Sequence, residues 1–65
     1  MENKLKYKRK QKGMTQTQLA DKANITRPYL SLIENNLSSP SITVCIRLAE
    51  LLDCRVDDIF FTEVV

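Results

Sequence analysis

The sequence predicts an all-α domain of five short helices, with a β-prone tail able to add one short C-terminal strand. Three observations predict it. Thr15, Thr26 and Ser41 each stand directly before a helix-length stretch, as side chains that accept from orphan N–H groups do. Apolar residues recur at helical spacing, most regularly at Ile42, Cys45, Leu48, Ala49 and Leu52. At 65 residues there is room for a single domain, read here as 1–65.

The first helix runs from about Asn3 to Lys12 and stops at Gly13, the residue best able to take left-handed angles. Its closing lysines suit the negative end of the helix dipole. Thr15 and Gln18 form a capping box that starts a second helix over 16–23, where Leu19, Ala20 and Ala23 make a narrow, small-residue stripe. Asn24 ends it, being tolerant of positive φ. Thr26 is the favoured cap of a third helix, with Ile25 able to staple onto Leu30. Pro28 biases the residue before it away from helical angles, so Arg27 is the alternative cap. On that helix Leu30, Ile33 and Glu34 share one side, while Arg27, Pro28, Ser31, Leu32 and Asn35 share the other. After a loop over 36–40, Ser41 caps the fourth helix. A short fifth helix, Val56 to Phe60, follows with Asp57 and Asp58 in its first turn.

Composition narrows the function. There is no histidine and only Cys45 and Cys54, too few ligands for a structural zinc site, and no cofactor is expected. On one helix the two cysteines are about 13 Å apart, beyond the ~7 Å limit for a bridge, so both are read as small buried hydrophobes in a reducing compartment. No stretch approaches the ~18 apolar residues of a membrane span, and no apolar core follows the basic start, so an intact cytoplasmic chain is expected. An enzyme is disfavoured by the missing histidine, the lack of a glycine-rich phosphate loop and the small size. The net charge of +2 is unevenly spread. Residues 1–12 hold six Lys or Arg against Glu2, whereas 48–65 hold five acids against Arg55. That asymmetry suits a polyanion-facing end, although a solvated basic helix face has the same pattern.

Two short helices joined by about three residues, the first with a small contact stripe and the second with a separate polar face, fit a helix-turn-helix unit over about 16–36. Arg9, Gly13-Met14-Thr15-Gln16, Leu19-Ala20, Ala23-Asn24-Ile25-Thr26-Arg27, Tyr29-Leu30-Ser31, Ile33-Glu34, Pro40-Ser41 and Leu48-Ala49 occur in that order and spacing. With them the segment Leu5 to Phe60 resembles the Xre family of helix-turn-helix regulators, the class of lambdoid phage repressors and Cro proteins.

The resemblance implies a five-helix, lambda-repressor-like domain that binds double-stranded DNA. It places base contacts at Arg27, Pro28, Ser31 and Leu32. Arg27 suits a bidentate contact to guanine, Ser31 a second polar contact, and Pro28 and Leu32 apolar contact with a thymine methyl. Phosphate contacts fall to Gln16, Thr26, Tyr29, Asn35 and Ser38, with Tyr29 packing at the edge of the core and directing its hydroxyl to a phosphate, the alternative being a base contact. Arg9 and Glu34 occupy positions where family members form an ion pair between helices one and three. Asn24 stands where a turn glycine is usual. Asn36-Leu37-Ser38 replaces a glycine and basic residues, which implies a shallower salt dependence. The helix-one lysines can compensate, although the Lys8 stem can equally lie over the core. Arg55 replaces a capping Ser or Thr.

Relatives of this class bind palindromes as twofold dimers, so a homodimer on a palindromic operator is expected, with a C-terminal dimerisation tail over about 56–65. Phe60, Phe61, Val64 and Val65 are the interface candidates; the alternative is that Phe60 closes the monomer core. The function read here is transcriptional regulation, most simply repression by promoter occlusion. The rival is an antitoxin-like or adaptor protein, using Leu32, Leu37 and the tail against a protein partner.

Overall fold

The computed structural model describes residues 3–60. Over them the chain forms α1 (Leu5–Gln11), α2 (Gln16–Ala23), α3 (Arg27–Glu34), α4 (Ile42–Leu51) and α5 (Val56–Ile59). No sheet is present among the described residues; a lone antiparallel bridge pairs Asn3 with Phe60. The rest of the tail, including Phe61, Val64 and Val65, lies outside the described residues.

Helix starts follow the capping residues. The Thr15, Thr26 and Ser41 side chains accept from the backbone N–H of Gln18, Tyr29 and Val44. Thr26, rather than Arg27, is thus the α3 cap, with Pro28 in the first turn where its missing N–H costs nothing. Four residues take left-handed angles at helix ends: Gly13 (φ 70°), Asn24 (58°), Asn36 (59°) and Asp53 (53°). α5 begins without a hydroxyl cap. Instead the Asp58 carboxylate accepts from the Arg55 N–H at 2.9 Å, which supplies half of a capping box.

Two elements differ from the expectation. α1 begins at Leu5, not Asn3, because the Asn3 side chain accepts from the Leu5 N–H and so stands ahead of the helix. Its amide also donates to the Ile33 carbonyl and to Asn36 Oδ1, while the Lys4 N–H donates to the Ile59 carbonyl. The chain start is thereby tied to the ends of α3 and α5. On α4, Ile42 is 69% exposed rather than buried. It is the first residue of the helix, and the buried face is instead Leu48, Ala49 and Leu52, with Val44 and Leu51 packed beside them.

α2 packs on both α3 and α4, and α4 on α5. Leu5, Leu19, Leu30, Ile33, Leu48 and Ile59 are fully enclosed, each contributing about 1.5–3 kcal/mol of burial. Ala20 and Ala23, also buried, are the small residues on α2 that permit its close approach to its neighbours. Phe60 is half-buried against this core, and Lys8 is half-buried on α1. Both thiols are free and half-buried, more exposed than expected.

Candidate nucleic-acid interface

The capping box at Thr15 fixes where α2 starts and so sets Gln16 at its first position. The cap at Thr26 does the same for Arg27 on α3. Burial of Leu30, Ile33 and Glu34 turns the opposite face of α3 outward, leaving Arg27, Pro28, Leu32 and Asn35 exposed and Ser31 half-exposed.

A chain of polar contacts links this face to the interior. Arg9 donates from Nε to Glu34 Oε2 at 2.7 Å and from Nη2 to Oε1 at 3.4 Å, and its Nη1 donates to the Met14 carbonyl at 2.8 Å. Both residues of this ion pair are buried. Glu34 Oε1 also accepts from the Gln16 amide nitrogen at 2.9 Å, and Gln16 Oε1 accepts from Arg27 Nη1 at 2.8 Å. The α3 arginine is therefore tethered, through one amide, to a carboxylate that Arg9 holds in the core. The amide nitrogen of Gln16 keeps a second N–H for an external acceptor. No buried side-chain polar atom among the described residues lacks a partner.

These residues border a shallow, open groove between α1 and the starts of α2 and α3. Lys6, Lys10 and Arg27 stand along it, with Met14, Thr15 and Gln16, and no Asp or Glu lines it. A carboxylate-free groove edged by exposed cations attracts a polyanion.

The other expected site residues divide between this surface and elsewhere. Thr26 caps α3 with its hydroxyl oxygen, and the Asn35 amide donates to the Ser31 carbonyl at 2.8 Å, bracing the far end of the exposed face. Tyr29 packs half-buried against the core, in the packing position. Ser38 lines a second, small concavity of about 160 Å³ with Asn3, Ile33, Asn36 and Phe60. The Gln16 links to Glu34 and Arg27 have no local sequence signature, because they join residues 18 and 11 positions apart. The same holds for Arg47, which donates to the Ala23 carbonyl at 2.7 Å and closes the end of α2 from α4.

Burial raises both thiols: at Cys45 it outweighs a backbone hydrogen bond, and at Cys54 the attraction of nearby Lys8. Neither is a stabilised thiolate. No group of three or more His, Cys, Asp or Glu able to hold a metal occurs among the described residues, and no helix is long and apolar enough to cross a membrane.

A family model described as helix-turn-helix matches residues 5–59. The chain belongs to the helix-turn-helix family. Within it, the chain is 35% identical over 63 residues to an uncharacterized HTH-type transcriptional regulator, MJ0272, of Methanocaldococcus jannaschii, covering 97% of this chain and 96% of that protein. It is 39% identical over 56 residues to the immunity repressor protein of Bacillus phage phi105, covering 86% of this chain but 39% of the repressor. Among solved structures, SinR, the master regulator for biofilm formation, in complex with DNA superposes with a TM-score of 0.74 at 42% identity, covering 80% of this chain and 84% of that one. Against SinR of Bacillus subtilis at full length, the chain spans about half, 49%. The helix-turn-helix relatives are regulators by name, and the Xre-type resemblance read from Arg9 through Ala49 agrees with them.

Proposed function

We propose that the chain is a sequence-specific DNA-binding transcriptional regulator, acting as a repressor that occupies a palindromic operator as a homodimer in the cytoplasm. The observation that carries this reading is the tethered Arg27. A guanidinium at the exposed start of α3, held by Gln16 against the buried Arg9–Glu34 pair, beside a groove without carboxylates, is pre-positioned for the edge of a guanine. Pro28, Ser31 and Leu32 extend base contact along the same face. Gln16, Thr26, Tyr29, Asn35 and Ser38 are the phosphate contacts, which set register without specifying sequence.

A single domain offers few contacts, so specificity comes from coupling two of them. Phe60, with Phe61, Val64 and Val65 beyond it, is the proposed dimer surface, and half-sites lie about 10 base pairs apart, one helical turn. DNA-bound SinR supports the DNA-binding reading, and the phage immunity repressor protein the repressor reading.

The test is selection of bound duplexes from a random pool, with the mass of the complex measured on the enriched sequence. A palindrome bound by two protomers is expected. Enrichment of no sequence, or binding of one protomer to one half-site at saturation, overturns the reading. A protein-binding adaptor is the second reading, favoured by Leu37 at 73% and Leu32 at 43% exposure. It predicts no duplex selection at all.

A further inference from the structure

We propose that Lys6 and Lys10 form a second binding site for the DNA sugar-phosphate backbone, on the α1 face turned toward the start of α2. This rests on the DNA-binding reading above and adds to it a helix that reading does not use.

The basic residues at the chain start do not act together. A rotation of about 100° per residue puts Lys6 and Lys10, four positions apart, on one face of α1, and both line the groove that also holds Gln16 and Arg27. Arg9 lies between them in sequence and borders the groove, but its guanidinium is buried and its charge is paired with Glu34, with a further bond to the Met14 carbonyl. Lys12 turns away and pairs with Asp53 beyond the end of α4. Lys8 is half-buried on the side that faces Cys54. Lys6 and Lys10 are exposed and make no ion pair among the described residues.

Helix stability accounts for Lys10, in the last turn of α1, but not for Lys6. Lys6 is the second residue of α1, at the positive end of the dipole, and no acid occupies that first turn. Like charges four apart also repel. A ligand that threads between them and the α2 start relieves both effects. It must be anionic, extended and continuous with whatever Gln16 binds, which describes a phosphodiester backbone. Lysine, a flexible point charge, suits phosphates rather than base edges. The two lysines therefore add affinity and length of footprint without sequence preference.

The test compares two double variants of the full chain that remove the same charge: Lys6→Ala with Lys10→Ala, and Lys8→Ala with Lys12→Ala. Each is titrated against a mixed-sequence duplex from about 50 to about 200 mM salt, with helicity and melting checked for both. The first pair is expected to flatten the slope of log affinity against log salt by about 1.8 per bound protomer, a difference of about 12-fold in affinity lost over that range. The second pair is expected to leave the slope close to wild type, and Lys6→Arg with Lys10→Arg to retain it. Equal flattening by both Ala pairs would mean net charge rather than a site, and an unchanged slope for the first pair would mean no contact; either overturns the proposal while leaving DNA binding intact. A wild-type chain that does not bind the duplex overturns the DNA-binding reading itself.

Discussion

Replacing Arg9 with Met removes the cation that faces Glu34 without emptying the volume it fills. The Glu34 side chain is 1% exposed and accepts from Arg9 twice and from Gln16 once. After the substitution a buried carboxylate keeps a single neutral donor, and the Met14 carbonyl loses the Arg9 bond. Stranding one partner of a buried pair costs about 3–5 kcal/mol, and the lost carbonyl bond adds about 1 kcal/mol. A domain of this size has only about 3–10 kcal/mol in total, at ~0.05–0.15 kcal/mol per residue. The single variant should therefore lose about half or more of the wild-type stability and be unfolded at 25 °C where the total lies in the lower half of that range. Adding Glu34→Met removes the stranded charge, and the double variant should recover at least about 2 kcal/mol of the loss, because a buried pair adds little net stability over apolar residues. Urea unfolding followed by helicity, run as a double-mutant cycle, reads these values. A cost below about 1 kcal/mol for Arg9→Met, or a double variant as unstable as the sum of the singles, would refute the reasoning.

Three smaller effects follow from the same geometry. Thr15→Ala removes the capping box on α2 and should lower stability by about 1 kcal/mol in the same urea assay, with Gln16 less firmly placed. Asn24 holds φ 58°, so Asn24→Ala should cost about 1–2 kcal/mol whereas Asn24→Gly should be near neutral. The Lys12 ammonium, hydrogen-bonded to Asp53, holds that carboxyl below its usual range. A depressed folded value gives stabilisation that is present above the unfolded value and lost as pH falls through the folded one. Asp53→Asn should therefore lower stability slightly at neutral pH, have its least effect below the folded value where the carboxyl is already protonated, and so flatten the acid limb of the stability curve.

Local chemistry made much of this fold legible in the sequence. Thr15, Thr26, Asn24 and Ser41 mark boundaries through their own side chains and backbone angles, so the limits of α2 could be read directly and the cap of α3 to within one residue, Thr26 or Arg27. Ile42 shows the weakness of periodicity alone: apolar and in phase, it is nonetheless the first residue of α4 and lies in solvent. Asn3 looked like helix because its role depends on Ile33 and Asn36, some thirty residues away. Of the candidate site, the Arg9–Glu34 pair was expected from the resemblance and is present, and Gln16 and Arg27 were singled out one by one. That the four form one connected chain was not legible, since each link crosses between helices whose packing no short window encodes.

In the proposed function Arg27 reads a base from a position set by Gln16. The most direct measurement is the base preference of Arg27→Ala, beside Gln16→Ala, on the duplex selected by the wild type. Arg27→Ala is expected to relax selectivity at one symmetric base pair by about 1–3 kcal/mol, with the other positions unchanged. Gln16→Ala is expected to weaken binding to all sequences and, by releasing Arg27, to relax selectivity at that same base pair by less than Arg27→Ala does. An Arg27→Ala variant that keeps the full base preference, or loses affinity equally for every sequence, would contradict the account.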